Sequence, residues 1–349
     1  MNRTAKRIWV AGVGALMFAA TAATVQAADI SGAGATFPYP IYSKWADAYK
    51  KQTGIGLNYQ SIGSGAGIKQ IKAKTVTFGA SDMPLKPEEL NEAGLVQFPM
   101  IIGGVVPVVN IKGVGPGQIT LDGATIASIY LGEITKWDDP RVKKLNPKLA
   151  LPATAIAPVY RSEGSGTNFL FTDFLSKSSP KFKDTVGSST SVQWPVGIGA
   201  KGNEGVANMS KQTDGAIGYV EYAYAKQNSM SYALLINRAG KAVAPSAAAF
   251  QAAAANADWS HAPGFYLILT DQAGASSWPI TGASFILVHR MPPDAAATSE
   301  ALKFFQWAFK NGAQMASELD YVPLPETLIK QVQATWKSDI KGVTLAAAR

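Results

Sequence analysis

Apolar and polar positions along the chain follow two different periods. Short apolar runs typical of buried strands alternate with longer stretches in which apolar residues recur every three or four positions, as in amphipathic helices. The predicted strands are Gly56–Tyr59, Thr77–Gly79, Phe98–Asn110, Ala155–Tyr160, Ala233–Ile236, Phe265–Leu269 and Ser284–Val288. The predicted helices are Pro40–Lys51, Gly67–Lys74, Thr125–Leu131, Asn168–Leu175, Asn203–Lys211, Ser246–Ala255, Ser299–Glu318 and Glu326–Lys337. This alternation predicts an α/β fold with mostly parallel sheets covered on both faces.

Two apolar stretches are longer than an ordinary strand requires. Phe98–Asn110 and Trp278–His289 lie far apart in the sequence, and both could cross between two lobes. Residues 28–105 and 283–349 would then form one discontinuous lobe, and residues 106–282 the other, with a two-segment hinge and a cleft between them. The periodicity is equally compatible with two buried strands inside a single domain.

Composition excludes several classes of protein. Of the 349 residues, 47% are apolar and 16% charged, which is enough to bury a large core and excludes global disorder. The chain has no cysteine and two histidines, so disulfides, a thiol nucleophile and a His-rich or Cys-ligated metal site are excluded. We therefore expect neither a metal nor a cofactor.

The N-terminal segment has the pattern of an export signal. Arg3, Lys6 and Arg7 precede an apolar run from residue 8 to residue 20, and small residues at Val25 and Ala27 match a cleavage site. The run is shorter than the roughly 20 residues of a membrane span. The sequence therefore predicts cleavage after Ala27 and an exported protein. The full chain has a net charge of +8, and removal of Arg3, Lys6 and Arg7 with the signal leaves 8 − 3 = +5. This mild positive excess suits an anionic ligand, whereas export argues against a nucleic-acid partner.

Three short segments combine glycine with a hydroxyl residue just before a predicted helix. They cover residues 32–37, 63–67 and 161–167. Glycine lets the backbone approach a ligand, and the first N–H groups of a helix are free to bind an anion. Together the segments could surround a tetrahedral oxyanion, and Arg161 would add a forked, charged donor. A single such segment is more often an ordinary helix cap.

One carboxylate belongs beside these donors. Asp82 follows a predicted strand, at the end where ligands of open α/β sheets bind. An ionised aspartate only accepts hydrogen bonds, so it fits an anion site only if the anion carries a proton. Hydrogen phosphate does, and sulfate at neutral pH does not. Such a site would reject the analogue that lacks the hydrogen.

Six motifs make the sequence resemble one known family over nearly its whole length. They are GAGATFPYPIYSKWADAY (32–49), YQSIGSGAGIKQI (59–71), FGASDMPL (78–85), IYLGEITKWDDP (129–140), RSEGSGTNFLFTDFL (161–175) and GAIGYVEYAYAKQN (215–228). The chain is similar to the periplasmic phosphate-binding proteins of phosphate-specific ABC transporters. The resemblance implies a two-lobed type II periplasmic-binding-protein fold, and a non-catalytic, monomeric receptor that closes on dehydrated phosphate and delivers it to an inner-membrane permease.

The resemblance also implies which residues bind the ligand. Motif by motif, the expected phosphate-binding residues are Thr36, Phe37, Ser64, Asp82, Arg161, Ser165, Gly166 and Thr167. The chain departs from the family pattern at one position, where Glu163 stands in place of an aspartate that pairs with the arginine. We expect Glu163 to pair with Arg161 and to orient it with the same charge balance, while the extra methylene group leaves the detailed pose of the arginine open.

Two other functions remain as alternatives. An exported phosphohydrolase could use the same cradle but would need a nucleophile or metal, and a receptor for another oxyanion such as sulfate would not need Asp82. The G-x-G-x-x-G pattern of residues 197–202 also matches a dinucleotide-binding loop. We reject that reading because Trp194 and Pro195, directly before it, are poor residues for a central strand.

Overall fold

A computed structural model describes residues 30–255 and 257–345. The predicted signal peptide, residues 1–27, and its cleavage site lie outside the described residues. The strands are Ile30–Gly34 (β1), Leu57–Ser61 (β2), Phe78–Ser81 (β3), Leu95–Val109 (β4), Thr120–Leu121 (β5), Ala157–Arg161 (β6), Ile198–Ala200 (β7), Ala216–Glu221 (β8), Ser231–Tyr232 (β9), Leu234–Ile236 (β10), Ala242–Val243 (β11) and Thr281–His289 (β12). The helices are Tyr39–Thr53 (α1), Ser64–Lys72 (α2), Pro87–Ala93 (α3), Gly123–Tyr130 (α4), Pro140–Leu145 (α5), Gly166–Ser178 (α6), Pro180–Thr185 (α7), Gly202–Gln212 (α8), Tyr222–Gln227 (α9), Ala247–Ala254 (α10), Ala295–Asn311 (α11), Ala313–Ser317 (α12) and Glu326–Asp339 (α13).

One large sheet runs through the molecule. Its strand order is β2-β1-β3-β12-β4-β8-β6-β7, with β9 also paired to β4, and a separate small sheet has the order β11-β10-β5. The outer strands β2, β1 and β3 are parallel, as are β8, β6 and β7. The strands between them, β12 and β4, pair antiparallel with their neighbours. The expectation of mostly parallel sheets is therefore right for the outer strands and wrong for the centre.

Strand β4 connects the two halves of this sheet. All fifteen of its residues are buried. Its first part, up to Gly104, pairs with β12, and from Val105 onwards it pairs with β8. The long apolar stretch that suggested a crossing is thus one continuous strand shared by two groups of parallel strands. The lobe boundaries after residue 105 and before residue 283 stay a prediction about which parts move together.

The aromatic residues of α11 lie in the core beneath β1 to β4. Phe305 packs edge-on against Phe78 and Phe98, at ring-centroid distances of 5.0 and 5.8 Å. Trp336 of α13 lies 5.1 Å from Phe98 on the same face. Burying each of these rings contributes roughly 1.5–3 kcal/mol, so the C-terminal helices stabilise the N-terminal strands.

Two predicted elements differ from the structure. Residues 265–269 form no strand: the segment leaves a 3-10 turn, Pro263–Phe265, in irregular conformation. The helix predicted over residues 299–318 begins earlier and divides at Gly312, where α11 ends and α12 begins. No helix within residues 30–255 and 257–345 is long and apolar enough to cross a membrane.

Candidate functional site

The candidate site forms where strand ends and helix starts converge in the middle of the sheet. β1 and β3 are parallel neighbours, with Gly34 opposite Ala80, so the residues that follow them emerge at one edge. Gly34 has φ +146°, and a Cβ there would lie 2.0 Å from the Ala80 carbonyl oxygen. Only glycine allows the chain to turn here and present Thr36, while β3 presents Asp82 beside it.

The second half of the site comes from β6 and α6. Arg161 is the last residue of β6, and Ser165 caps α6, its Oγ accepting the Asn168 N–H at 3.1 Å. The loop between them contacts the first half directly, since the Gly65 N–H donates to the Gly164 carbonyl at 2.9 Å. All eight residues expected to bind ligand lie together and are buried: Thr36, Phe37, Ser64, Asp82, Arg161, Ser165, Gly166 and Thr167.

Ser64 sits between the two halves and is held as a hydrogen-bond acceptor. Its Oγ accepts the Gly166 N–H at 3.0 Å and the Asp82 N–H at 3.2 Å. A hydroxyl has two lone pairs and one hydrogen, so both lone pairs are occupied and the hydrogen remains to be donated. Gly166 must be glycine for this approach, because a Cβ there would lie 2.5–2.6 Å from Asp82 and the Ser64 Oγ.

Arg161 is paired on one side of its guanidinium only. Its Nε donates to Glu163 Oε1 at 2.9 Å, and its Nη2 donates to the same oxygen. Glu163 Oε1 also accepts the Gly202 N–H at 3.1 Å, which fixes it against the start of α8. Arg161 Nη1 is buried and makes no hydrogen bond within the described protein. The glutamate at this position therefore contacts the arginine, and a charged donor remains directed elsewhere in the site.

Among the eight residues expected to bind the ligand, Asp82 has the one carboxylate side chain, which when ionised only accepts hydrogen bonds. Both carboxylate oxygens are buried, and neither has a hydrogen-bond partner within the described residues. Burial raises the pKa of Asp82 from 3.8 to about 7, and the nearby Ser284 hydroxyl, the Arg161 charge and the Ser64 hydroxyl oppose that rise. The carboxyl is thus poised to accept or share a proton near neutral pH.

Around the site, tyrosine hydroxyls contact the loop that carries Thr36. Tyr224 donates to the Thr36 carbonyl at 2.7 Å. The Tyr321 hydroxyl lies 2.6 Å from the Phe37 carbonyl and 2.8 Å from Glu221 Oε2. Glu221 is fully buried, and burial raises its pKa well above the usual value for a glutamate. These contacts fasten the loop to residues that are distant in sequence.

Helix α8 adds a residue to the site, Asn203, that none of the sequence motifs indicated. Asn203 Nδ2 donates to Thr36 Oγ1 at 2.6 Å and to Thr167 Oγ1 at 3.2 Å. The rejected G-x-G-x-x-G pattern was the available signal, since its last glycine, Gly202, begins α8. The dinucleotide interpretation required a strand before the pattern, whereas β7 lies inside it. The pattern therefore ends at the start of a helix that contributes to the site, as in a dinucleotide-binding loop, but its strand lies within the pattern and not before it.

The fold matches a known class of two-lobed binding proteins. Residues 19–311 match the model of the PBP superfamily domain. A solved high-affinity periplasmic phosphate-binding protein with bound phosphate superposes with a TM-score of 0.72 at 22% identity, covering 91% of this chain and 96% of its own. The chain thus has the two-lobed fold of that superfamily, which confirms the predicted fold class.

Sequence relatives narrow the class further. The chain is 55% identical to the phosphate-binding protein PstS of Pasteurella multocida over 94% of its length and 95% of the relative's. It is 51% identical to the protein of the same name in Haemophilus influenzae over 96% and 99% of the two chains. The chain belongs to the PstS family of phosphate-binding proteins, which confirms the resemblance noted from its motifs.

Proposed function

We propose that this protein is the periplasmic receptor for inorganic phosphate of a phosphate-specific ABC transporter. One observation carries the proposal: in a buried site, the Asp82 carboxylate oxygens and Arg161 Nη1 have no hydrogen-bond partner among the residues that the structure describes. Buried polar groups are rarely left without hydrogen bonds. A tetrahedral oxyanion that keeps one hydrogen would satisfy both groups at once, and hydrogen phosphate is such a ligand.

Phosphate would be held by donors that replace its hydration shell. The proposed contacts are Thr36, the Phe37 amide, Ser64, Arg161, Ser165, the Gly166 amide and Thr167, with Asp82 accepting the ligand's hydrogen. Charge-assisted hydrogen bonds from a guanidinium are roughly twice as strong as neutral ones, so Arg161 provides the main attraction for the charge.

Closure follows from the position of the ligand between two groups of strands. The described structure already joins them through the contacts of Gly65 with Gly164 and of Ser64 with Gly166. A ligand that binds both sides stabilises this arrangement by its differential affinity for it. The closed shape would then be the form that a membrane permease recognises, and export with cleavage after Ala27 would place the receptor in the periplasm. We propose a monomer without catalytic activity, metal, cofactor or nucleic-acid partner.

The test is calorimetric titration of residues 28–349, stripped of bound ligand, with phosphate and then sulfate at neutral pH. We expect one-to-one phosphate binding at micromolar affinity or tighter, about −8 kcal/mol or better, and no heat from sulfate. Equal binding of sulfate would keep the anion site but overturn the role of Asp82. Binding of neither, or release of phosphate from an ester incubated with the protein, would overturn the proposal.

A further inference from the structure

Asn203 has a fixed amide orientation. The side chain is fully buried at the start of α8. One of its amide atoms lies 2.8 Å from the Glu221 backbone N–H. A backbone N–H can only donate, so that amide atom must be Oδ1. The NH₂ group therefore faces the opposite way, toward Thr36 and Thr167.

The amide determines what the two threonine hydroxyls can do. The two hydrogens of Nδ2 are donated to Thr36 Oγ1 and Thr167 Oγ1, at 2.6 and 3.2 Å. The Asn203 N–H also donates to Thr36 Oγ1, at 3.3 Å. Both lone pairs of the Thr36 hydroxyl are then occupied. The amide nitrogen of Asn203 only donates, so it cannot accept the hydrogen of either threonine hydroxyl. The hydroxyl hydrogens must be donated elsewhere.

We infer that Asn203 is a positioning residue that makes Thr36 and Thr167 hydrogen-bond donors to the ligand. The inference rests on the proposed function and adds a detail to it. The phosphate oxygens that face these two hydroxyls must be unprotonated, so the ligand's hydrogen is directed to Asp82. Asn203 and Asp82 together would define which oxygen of the anion carries the proton.

The isosteric Asn203→Asp variant tests this orientation. A carboxylate has no hydrogen to donate, so both hydroxyls would turn to donate to it and be lost to phosphate. We expect phosphate binding at least about 100-fold weaker by calorimetry. Asn203→Ala should weaken binding by only about tenfold, because no acceptor then competes for the hydroxyl hydrogens. If Asn203 served only to join the two sides, alanine would be the more damaging change, and that order would overturn the inference.

A double-mutant cycle with Thr36→Val separates hydroxyl orientation from simple charge repulsion. If Asn203 acts through the Thr36 hydroxyl, the penalty of Asn203→Asp should shrink at least about fivefold in the valine background. An undiminished penalty would mean that charge alone is responsible and would overturn the inference.

Asn237 offers a matched control away from the site. It is also a buried asparagine, and its amide donates to the carbonyls of Gly274, Ala275 and Ser277. Asn237→Asp should lower the midpoint of urea denaturation but leave phosphate affinity within about threefold. An equal loss of phosphate affinity in Asn203→Asp and Asn237→Asp would show a general effect of buried charge and would overturn the inference. Failure of the wild-type protein to bind phosphate would instead overturn the proposed function, and this inference with it.

Discussion

Asp82 should oppose closure of the cleft when no anion is bound. In the closed arrangement burial raises its pKa from 3.8 to about 7. Each pH unit corresponds to about 1.4 kcal/mol, so an ionised Asp82 disfavours the closed form by about 4 kcal/mol relative to an open form in which it is hydrated. Because the pKa is higher in the closed form, closure without ligand is most favourable below about pH 4. The advantage is lost as the pH rises to about 7, and it stays lost above.

The Asp82→Asn variant removes this titration and can be followed by a distance measurement. The chain has no cysteine, so engineered cysteines are the only labelling sites. Ser43 of α1 and Asn208 of α8 are exposed, line the same surface pocket from two different helices and suit a pair of spin labels. Pulsed EPR on phosphate-free protein at pH 5 and pH 8 would give the open and closed populations, and phosphate-saturated protein supplies the closed reference distance.

At pH 8 the closed-to-open ratio of the asparagine variant should exceed that of the parent by up to about 10³, the factor that corresponds to 4 kcal/mol. The parent should shift toward the closed distance at pH 5, and the variant should not. Equal closed populations in both proteins at pH 8, or a variant that responds to pH as the parent does, would refute this account of Asp82.

Four further predictions concern binding and stability. Asp82→Asn should retain phosphate binding and admit sulfate in calorimetry, and continued rejection of sulfate would contradict proton recognition. Arg161→Ala should weaken phosphate binding by about 2–3 kcal/mol, because a charge-assisted fork is lost, and retained tight binding would remove its proposed role. Gly166→Ala should fold normally but lose most phosphate affinity in titration, since its methyl group would collide with Asp82 and Ser64. The control Gly205→Ala, whose added Cβ would make only ordinary contacts, should bind like the parent. Burial raises the pKa of Glu221, so the folded state loses stability as the pH rises above about 4.5. Glu221→Gln should reduce this loss when the free energy of unfolding is measured by urea denaturation at saturating phosphate. If the free energy of unfolding changed with pH in the variant as in the parent between pH 5 and 8, that would contradict a neutral Glu221.

The fold class and the main segments of the candidate site could be predicted because each has a recognisable pattern of neighbouring residues. A strand end followed by glycine, a hydroxyl and a helix is visible in the sequence around Thr36, Ser64 and Arg161. Strand β8 was missed because Gly218 interrupts its apolar run, which weakens the pattern that predicts strands. The segment after Phe265 has aromatic and branched residues typical of a strand, but such residues favour a strand only when a partner strand is present, and the segment is irregular.

The remaining site residues could not be predicted because their roles depend on contacts between distant segments. Asn203 reaches Thr36 across 167 positions, and Tyr321 reaches Phe37 across 284. No spacing rule links such pairs. The motif resemblance named residues that are expected to contact the ligand directly, but it did not indicate the buried side chains that hold them.

The path of the chain through the shared strand β4 has a consequence for the order of folding. The part of the sheet that contains β1 and β3 needs β12 as its next strand, and Trp278 Nε1 donates to the Val105 carbonyl across 173 positions. The chain is synthesised from its N-terminus, so the part of the sheet with β1 and β3 cannot be completed until the last third of the chain, which contains β12, has been made. By contrast, β6, β7 and β8 lie closer together in sequence. Long-range pairing of this kind slows folding. The half that is made first should therefore be completed last, which leaves Thr36, Ser64 and Asp82 unassembled for most of the folding process.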